Sequence, residues 1–194
     1  NLNLYAHAGK WLMIDLGIGF ADDSMPGIEV VMPDPAFIEE RREDLLGIVL
    51  THAHEDHLGA VADLWPRLRA PVYATPFGAS VLRRKLVEPG LMDAVPITEI
   101  PLGGKVSLPP FELELITMTH SILEPNALAI RTKLGTVFHT GDWKIDPEPL
   151  LGEVTDEAML RRIGEEGALA MVCDSTNVFV EGEAGSEATV RANL

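Results

Sequence analysis

The feature that most constrains this chain is the stretch from Thr51 to Ala60, which reads Thr-His-Ala-His-Glu-Asp-His-Leu-Gly-Ala. An apolar run at residues 45–50 precedes it, with the length and branching of a buried strand. Leu58, Val61, Leu64 and Trp65 follow at the spacing of a helix's inner face, and Pro66 is expected to stop that helix. Three imidazoles and two carboxylates therefore crowd between a strand end and a helix start. Neutral imidazole nitrogens and carboxylate oxygens are the ligand set of borderline divalent metals, zinc above all. A solvated polar loop is the ordinary fate of a single histidine, but the His-x-His-x-Asp-His spacing points to metal.

The rest of the chain supplies strands that end in similar chemistry. Residues 1–5 alternate and residues 10–15 resume an apolar run after Ala6-His7-Ala8-Gly9, which predicts a hairpin with His7 facing solvent in the turn. The chain opens on Asn1 in what reads as mid-strand, suggesting that residues precede it. Asp15 ends the second strand and is either a turn former or a buttress for a neighbouring loop. Residues 18–33 read as an irregular connection around a short strand at 28–32. Asp34 and Pro35 open a surface helix over 37–42, residues 71–75 form a strand, and 76–87 a helix. From residue 97 the pattern changes to period two, with strands expected at 97–100, 105–108, 111–118, 126–133 and 136–140 and a tight turn at Leu134-Gly135. A helix over 155–166, a strand around Cys173 and a helix opened by Ser186 complete the chain. Such a pattern suggests sheets packed face to face and covered by helices. Asp15, the loop at 52–57, His120, Asp142 and Asp174 all follow apolar runs, and would converge if the strands ran side by side.

Length and composition narrow the classes. At 194 residues the chain fits one large domain. No apolar run approaches a membrane span. The lone Cys173 excludes an internal disulfide and favours a reducing, cytoplasmic setting; it reads as a packing residue. The net charge of −15 argues against a general nucleic-acid surface, because phosphate contacts need Lys and Arg. A nucleic-acid substrate would be held mainly by bound metals, which offset the charge locally, or by a surface outside this chain.

The loop His52-Ala53-His54-Glu55-Asp56-His57, followed by a lone His120 and by Gly141-Asp142, resembles the metallo-β-lactamase superfamily. Within it, Thr51 to Ala60, His139 to Asp146 and Asp174-Ser175-Thr176-Asn177 resemble the ribonuclease J family over essentially the whole chain. The resemblance implies an α/β fold, the αββα metallo-β-lactamase sandwich, here incomplete because the β-CASP domain is absent. It implies a core over residues 1–185, with 186–194 starting the helix towards that missing domain. His52, His54 and His120 would hold a first zinc; Asp56 and His57 would hold a second; Asp142 would bridge them. Asp56, Asp142 and His57 would form the catalytic group. Asp15 and Asp174 match supporting carboxylates that orient imidazoles, and Ser175 matches a contact to substrate phosphate or a backbone cap. His139 reads as structural. On the residues alone, Asp142 has a lesser alternative as a Gly-Asp turn, and His120 one as a satisfied strand-end histidine.

The implied activity is hydrolysis of single-stranded RNA, internally and from the 5′ end, by a hydroxide shared between two metals. The implied setting is cytoplasmic and homo-oligomeric. This chain departs from the family in three ways: no histidine follows His139, the β-CASP segment is absent, and so is the family's Gly-rich lead-in. It is therefore expected to bind the first zinc well and the second poorly, and to act on RNA weakly or not at all. A hydrolase of thioesters, lactones or β-lactams shares the ligands but not the Asp-Ser-Thr-Asn and Gly-Asp-Trp-Lys-Ile-Asp wording. A redox di-iron relative would carry a carboxylate where His54 stands. A non-catalytic scaffold of this fold usually loses ligands that are all present here.

Overall fold

The apolar run ahead of the histidine loop becomes the middle strand of a sheet. The computed structural model describes residues 1–182 and 184–194. It divides into two units, Asn1–Ile100 and Pro101–Leu194.

In the first unit, β1 (Asn3–His7) and β2 (Lys10–Ile14) form the expected hairpin, paired from Asn3↔Ile14 to His7↔Lys10. Ala8 (φ 49°) and Gly9 (φ 76°) both adopt the left-handed backbone of a two-residue hairpin turn whose twist matches that of the strands. β3 (Gly19–Phe20) and β4 (Val30–Val31) make a separate two-stranded ribbon. Helix α1 (Ala36–Glu39) is shorter than expected and gives way to a 3₁₀ turn at Arg42–Asp44. β5 (Leu45–Val49) lies parallel to β2. It is followed by α2 (Glu55–Leu58), α3 (Val61–Leu68), β6 (Val72–Ala74), α4 (Pro76–Val87) and β7 (Ile97–Glu99). The sheet order is β1-β2-β5-β6-β7.

Two expectations are corrected here. Pro66 does not stop α3, which runs on to Leu68 before Arg69 turns left-handed (φ 55°). Proline removes one ladder hydrogen bond, but Leu64, Trp65 and Leu68 are buried on the same face, and Trp65 Nε1 donates to Ala70 O at 2.7 Å beyond the helix end. Residues 97–99 do not begin the antiparallel series: β7 pairs parallel with β6, Val72 opposite Ile97. Alternation reports that one face is buried, not which strand is the neighbour.

In the second unit, β8 (Lys105–Leu108), β9 (Phe111–Thr117), β10 (Asn126–Thr132) and β11 (Gly135–His139) form an antiparallel meander. Helix α5 (Glu157–Glu166) is capped by Asp156, whose side chain accepts from Met159 N at 3.0 Å. It sets Met159, Leu160 and Ile163 against Ile116, Met118, Ala127, Ala129 and Phe138. β12 (Ala170–Val172) adds parallel to β11 as an exposed edge, and Cys173 follows it half-buried. α6 (Glu187–Ala192) starts at Ser186 as expected, and Glu187 N donates to Asp146 Oδ2 at 2.9 Å.

Alongside this apolar packing lies a charge cluster that the sequence pattern did not announce. Glu114 is 3 % exposed and accepts from Arg131 Nη1 (2.7 Å) and Arg162 Nη2 (2.8 Å), with Lys105 Nζ 3.1 Å away. Burial alone would raise its pKa; the hydrogen bonds from Arg162, Lys105 and Arg131 overcome that and bring it from 4.5 down to about 2. A carboxyl whose pKa is depressed on folding contributes stability above its unfolded value, and the contribution disappears as pH falls through the folded value. Glu114→Gln should therefore lower the unfolding free energy by roughly 2–3 kcal/mol at neutral pH. It should also abolish the part of the acid-induced decline that falls between the values 4.5 and about 2. Urea denaturation across that pH range checks this, and parallel decline of variant and wild type would refute it.

Candidate metal centre

In the first unit the histidine loop is bolted down by Asp15. This residue ends β2 with a left-handed backbone (φ 61°) and is fully buried. Its Oδ1 accepts from Thr51 N at 2.7 Å, and its Oδ2 accepts from Thr51 Oγ1 at 2.9 Å. His57 Nδ1 lies 2.7 Å from the same Oδ2. Asp15 thus ties the end of β2 to the loop after β5. Burial works to raise its pKa, but the hydrogen bonds from the His57 ring and the Thr51 amide hold it below the ordinary carboxylate value. A carboxylate at His57 Nδ1 fixes the proton there and turns the Nε2 lone pair outward, the tautomer a metal ligand needs.

His52 and His54 present their nitrogens to each other. His52 Nε2 and His54 Nδ1 are 3.0 Å apart, with the rings nearly perpendicular at 79° and their centroids 4.8 Å apart. His52 Nδ1 in turn lies 3.0 Å from Thr51 Oγ1. His54 supplies the extended N-cap backbone of α2, so Glu55, Asp56 and His57 fall in its first turn. Asp56 Oδ2 lies 3.4 Å from His57 Nε2. Glu55 is drawn aside to Lys85 Nζ at 2.6 Å.

A close backbone approach positions α2. Leu16 N donates to His57 O (2.7 Å) and Ile18 N to Glu55 O (3.0 Å). Between them, a Cβ on Gly17 would lie 1.8 Å from Asp56 O. Asn1 completes the edge of this loop: its carbonyl accepts from Gly17 N at 2.8 Å. Its side-chain Nδ2 stands 3.0 Å from His57 Nε2 and 3.1 Å from Asp56 Oδ2.

The second unit brings His120 and Asp142 together, with Nε2 3.7 Å from Oδ2. His120 follows β9, and Asp142 follows Gly141 (φ 57°) after β11. Thr119 laces the two loops: Lys144 N donates to its carbonyl (2.9 Å), Asp146 N donates to its hydroxyl (3.1 Å), and its own N donates to Thr155 Oγ1 (2.9 Å). His139 is buried in β11 opposite Leu128. Asp174 Oδ1 accepts from Thr176 N (2.9 Å) and Thr176 Oγ1 (2.7 Å), forming a turn of its own loop. Ser175 Oγ donates to Cys173 O at 3.3 Å. Both residues line an open cleft of about 430 Å³ with Trp143 and Ile145.

Sequence reasoning missed Asn1, Gly17, Thr51 and Thr119 as participants. Thr51 and Thr119 stand directly before His52 and His120, so a hydroxyl preceding a strand-end histidine was the available signal. Nothing in the sequence marks Asn1.

The chain belongs to the metallo-β-lactamase superfamily, whose family model matches residues 1–164. Among curated proteins it is 50 % identical to the ribonuclease J of Sinorhizobium meliloti over its whole length, and 38 % identical to the ribonuclease J of Synechocystis. It spans 35 % and 31 % of those two proteins, about a third of their length. Zn²⁺-bound PqqB of Methylobacterium extorquens superimposes with a TM-score of 0.59 at 15 % identity, covering 94 % of this chain and 64 % of that one. The expected α/β metallo-β-lactamase fold is thus found, and a fold of this kind implies a metal. Among the described residues no helix is long and apolar enough to cross a membrane.

Proposed function

We propose that this chain is the metal-binding part of a zinc-dependent ribonuclease. In this reading, which follows the family's ligand pattern, His52, His54, His120 and Asp142 would hold one ion, and Asp56, His57 and Asp142 would hold a second. The observation that carries it is the Asp15–His57 bond of 2.7 Å, which holds the tautomer a metal ligand needs beside a carboxylate. The donors fit the ion: imidazoles and carboxylates, with no thiolate among them, suit zinc. Two bound divalent ions would supply an activated hydroxide and stabilise charge developing at phosphorus.

The chain's own side chains do the rest. Asp15 and Thr51 keep the imidazoles of His57 and His52 in register. Asp56 orients the attacking water or takes its proton. Asp142 serves both ions. The likeness to ribonuclease J proteins supports RNA as substrate; that the RNA is single-stranded and cut internally and from the 5′ end, by a cytoplasmic homo-oligomer, is part of the same proposal. At a net charge of −15, these residues do not grip RNA by themselves; phosphate contacts come from the ions and from surfaces outside them. With three donors in this pattern against four for the first, the second ion would be held more weakly.

Elemental analysis and zinc titration of the purified protein test this. One tightly held zinc and one weaker one are expected. His52→Ala should weaken the tight site by at least the roughly 10–100-fold that changes outside the ligand shell cause. In the longer proteins of this kind, cleavage of a labelled single-stranded RNA with no turnover of nitrocefin is expected. Turnover of nitrocefin alone would replace the nuclease reading with that of a lactam hydrolase.

A further inference from the structure

The contacts of Asn1 are those of a residue placed for a purpose. Its backbone is fixed from two sides: its carbonyl accepts from Gly17 N at 2.8 Å, and its nitrogen donates to Asp56 O at 2.7 Å. Its carboxamide has one orientation consistent with its neighbours. Asp56 Oδ2, 3.1 Å away, accepts from the NH₂ group, which therefore faces it. The same NH₂ lies 3.0 Å from His57 Nε2, whose lone pair points outward because Asp15 holds the ring's proton on Nδ1. The two hydrogens of one amide thus reach toward a nitrogen and an oxygen that are both metal donors in the reading above.

We propose that Asn1 is a positioning residue for the second ion. Its amide holds the His57 and Asp56 donors in place, and the His57 contact must be given up before Nε2, with its single lone pair, can ligate an ion; the Asp56 carboxylate has lone pairs for both. This inference rests on the two-ion reading of the preceding section. The amide and a cation cannot share that one lone pair, so the hydrogen bond surrendered at His57 Nε2 subtracts from the binding free energy. A net protein hydrogen bond corresponds to about a fivefold factor in an equilibrium constant, and one to a charged group to more. Asn1 therefore depresses affinity at the second site by about fivefold and leaves the His52–His54 side untouched.

The test uses Co²⁺ as the titrant on metal-free protein, followed by its visible absorption, for wild type, Asn1→Ala and Asp56→Ala. Asn1→Ala should bind the second Co²⁺ about fivefold more tightly with the first affinity unchanged. In the metal-free proteins, ¹⁵N NMR should show the His57 Nε2 resonance moving on this substitution while Nδ1 stays in place, which a merely structural role would not produce. An unchanged or weakened second affinity, or an unmoved Nε2 resonance, overturns the assignment. If wild type takes up no second Co²⁺, or Asp56→Ala keeps one, the two-ion reading itself falls and the role of Asn1 falls with it. That result appears in proteins whose Asn1 is intact, so the two failures are distinguishable.

Discussion

Gly17→Ala is expected to destabilise the protein by roughly 3–5 kcal/mol, and to displace His57 from Asp15 in whatever fraction still folds. The added Cβ would lie 1.8 Å from Asp56 O, 1.9 Å from Asp56 C and 2.4 Å from His57 N. These are backbone atoms, so no rotamer change relieves the clash. Either the strand end or α2 must move by more than 1 Å, far beyond what packed interiors absorb. The hydrogen bonds on either side are lost with it, from Leu16 N to His57 O and from Ile18 N to Glu55 O, and Leu16 is fully buried. Chemical denaturation of the variant checks this. A variant within about 1 kcal/mol of wild type, inside the usual range for surface changes, would show that the approach of the two segments is looser than described.

Asp15→Asn separates shape from protonation. The replacement is isosteric, and asparagine tolerates the left-handed backbone at φ 61°. Its amide, however, has one accepting oxygen where the carboxylate has two. Thr51 N occupies that oxygen, so the NH₂ must face Thr51 Oγ1 and His57 Nδ1, at the positions now 2.9 and 2.7 Å away. His57 Nδ1 then becomes an acceptor and the ring's proton moves to Nε2, the atom proposed to bind metal. The second ion should bind roughly 100-fold more weakly, and the fold should lose about 1–3 kcal/mol. Metal titration reads the first effect, and ¹⁵N NMR reads the change of tautomer directly. Unchanged second-ion affinity would mean that Asp15 serves the fold and not the site.

Much of the fold was legible because the relevant signals are local. The strand at 45–49, the cap at His54 and the buried face of α3 follow from neighbouring residues, and so does the Ala8-Gly9 turn. Where the reading failed, the deciding partner was distant. Residues 97–99 alternate as β8 and β9 do, yet β7 joins the first sheet through register with Val72, a choice no period reveals. Pro66 reads as a stop until the burial of Leu64, Trp65 and Leu68 is known.

The same division runs through the site. The sequence by itself determined the donor chemistry, since which atoms can bind a metal is a property of residue type and spacing. It also determined where those donors stand, at the ends of strands. Only the tertiary structure decided the orientation of the donors: Asp15 reaches His57 across 42 residues, and Asn1 reaches it across 56. The tautomer of an imidazole depends on what lies within 3 Å of its nitrogens, and those neighbours are brought there by folding.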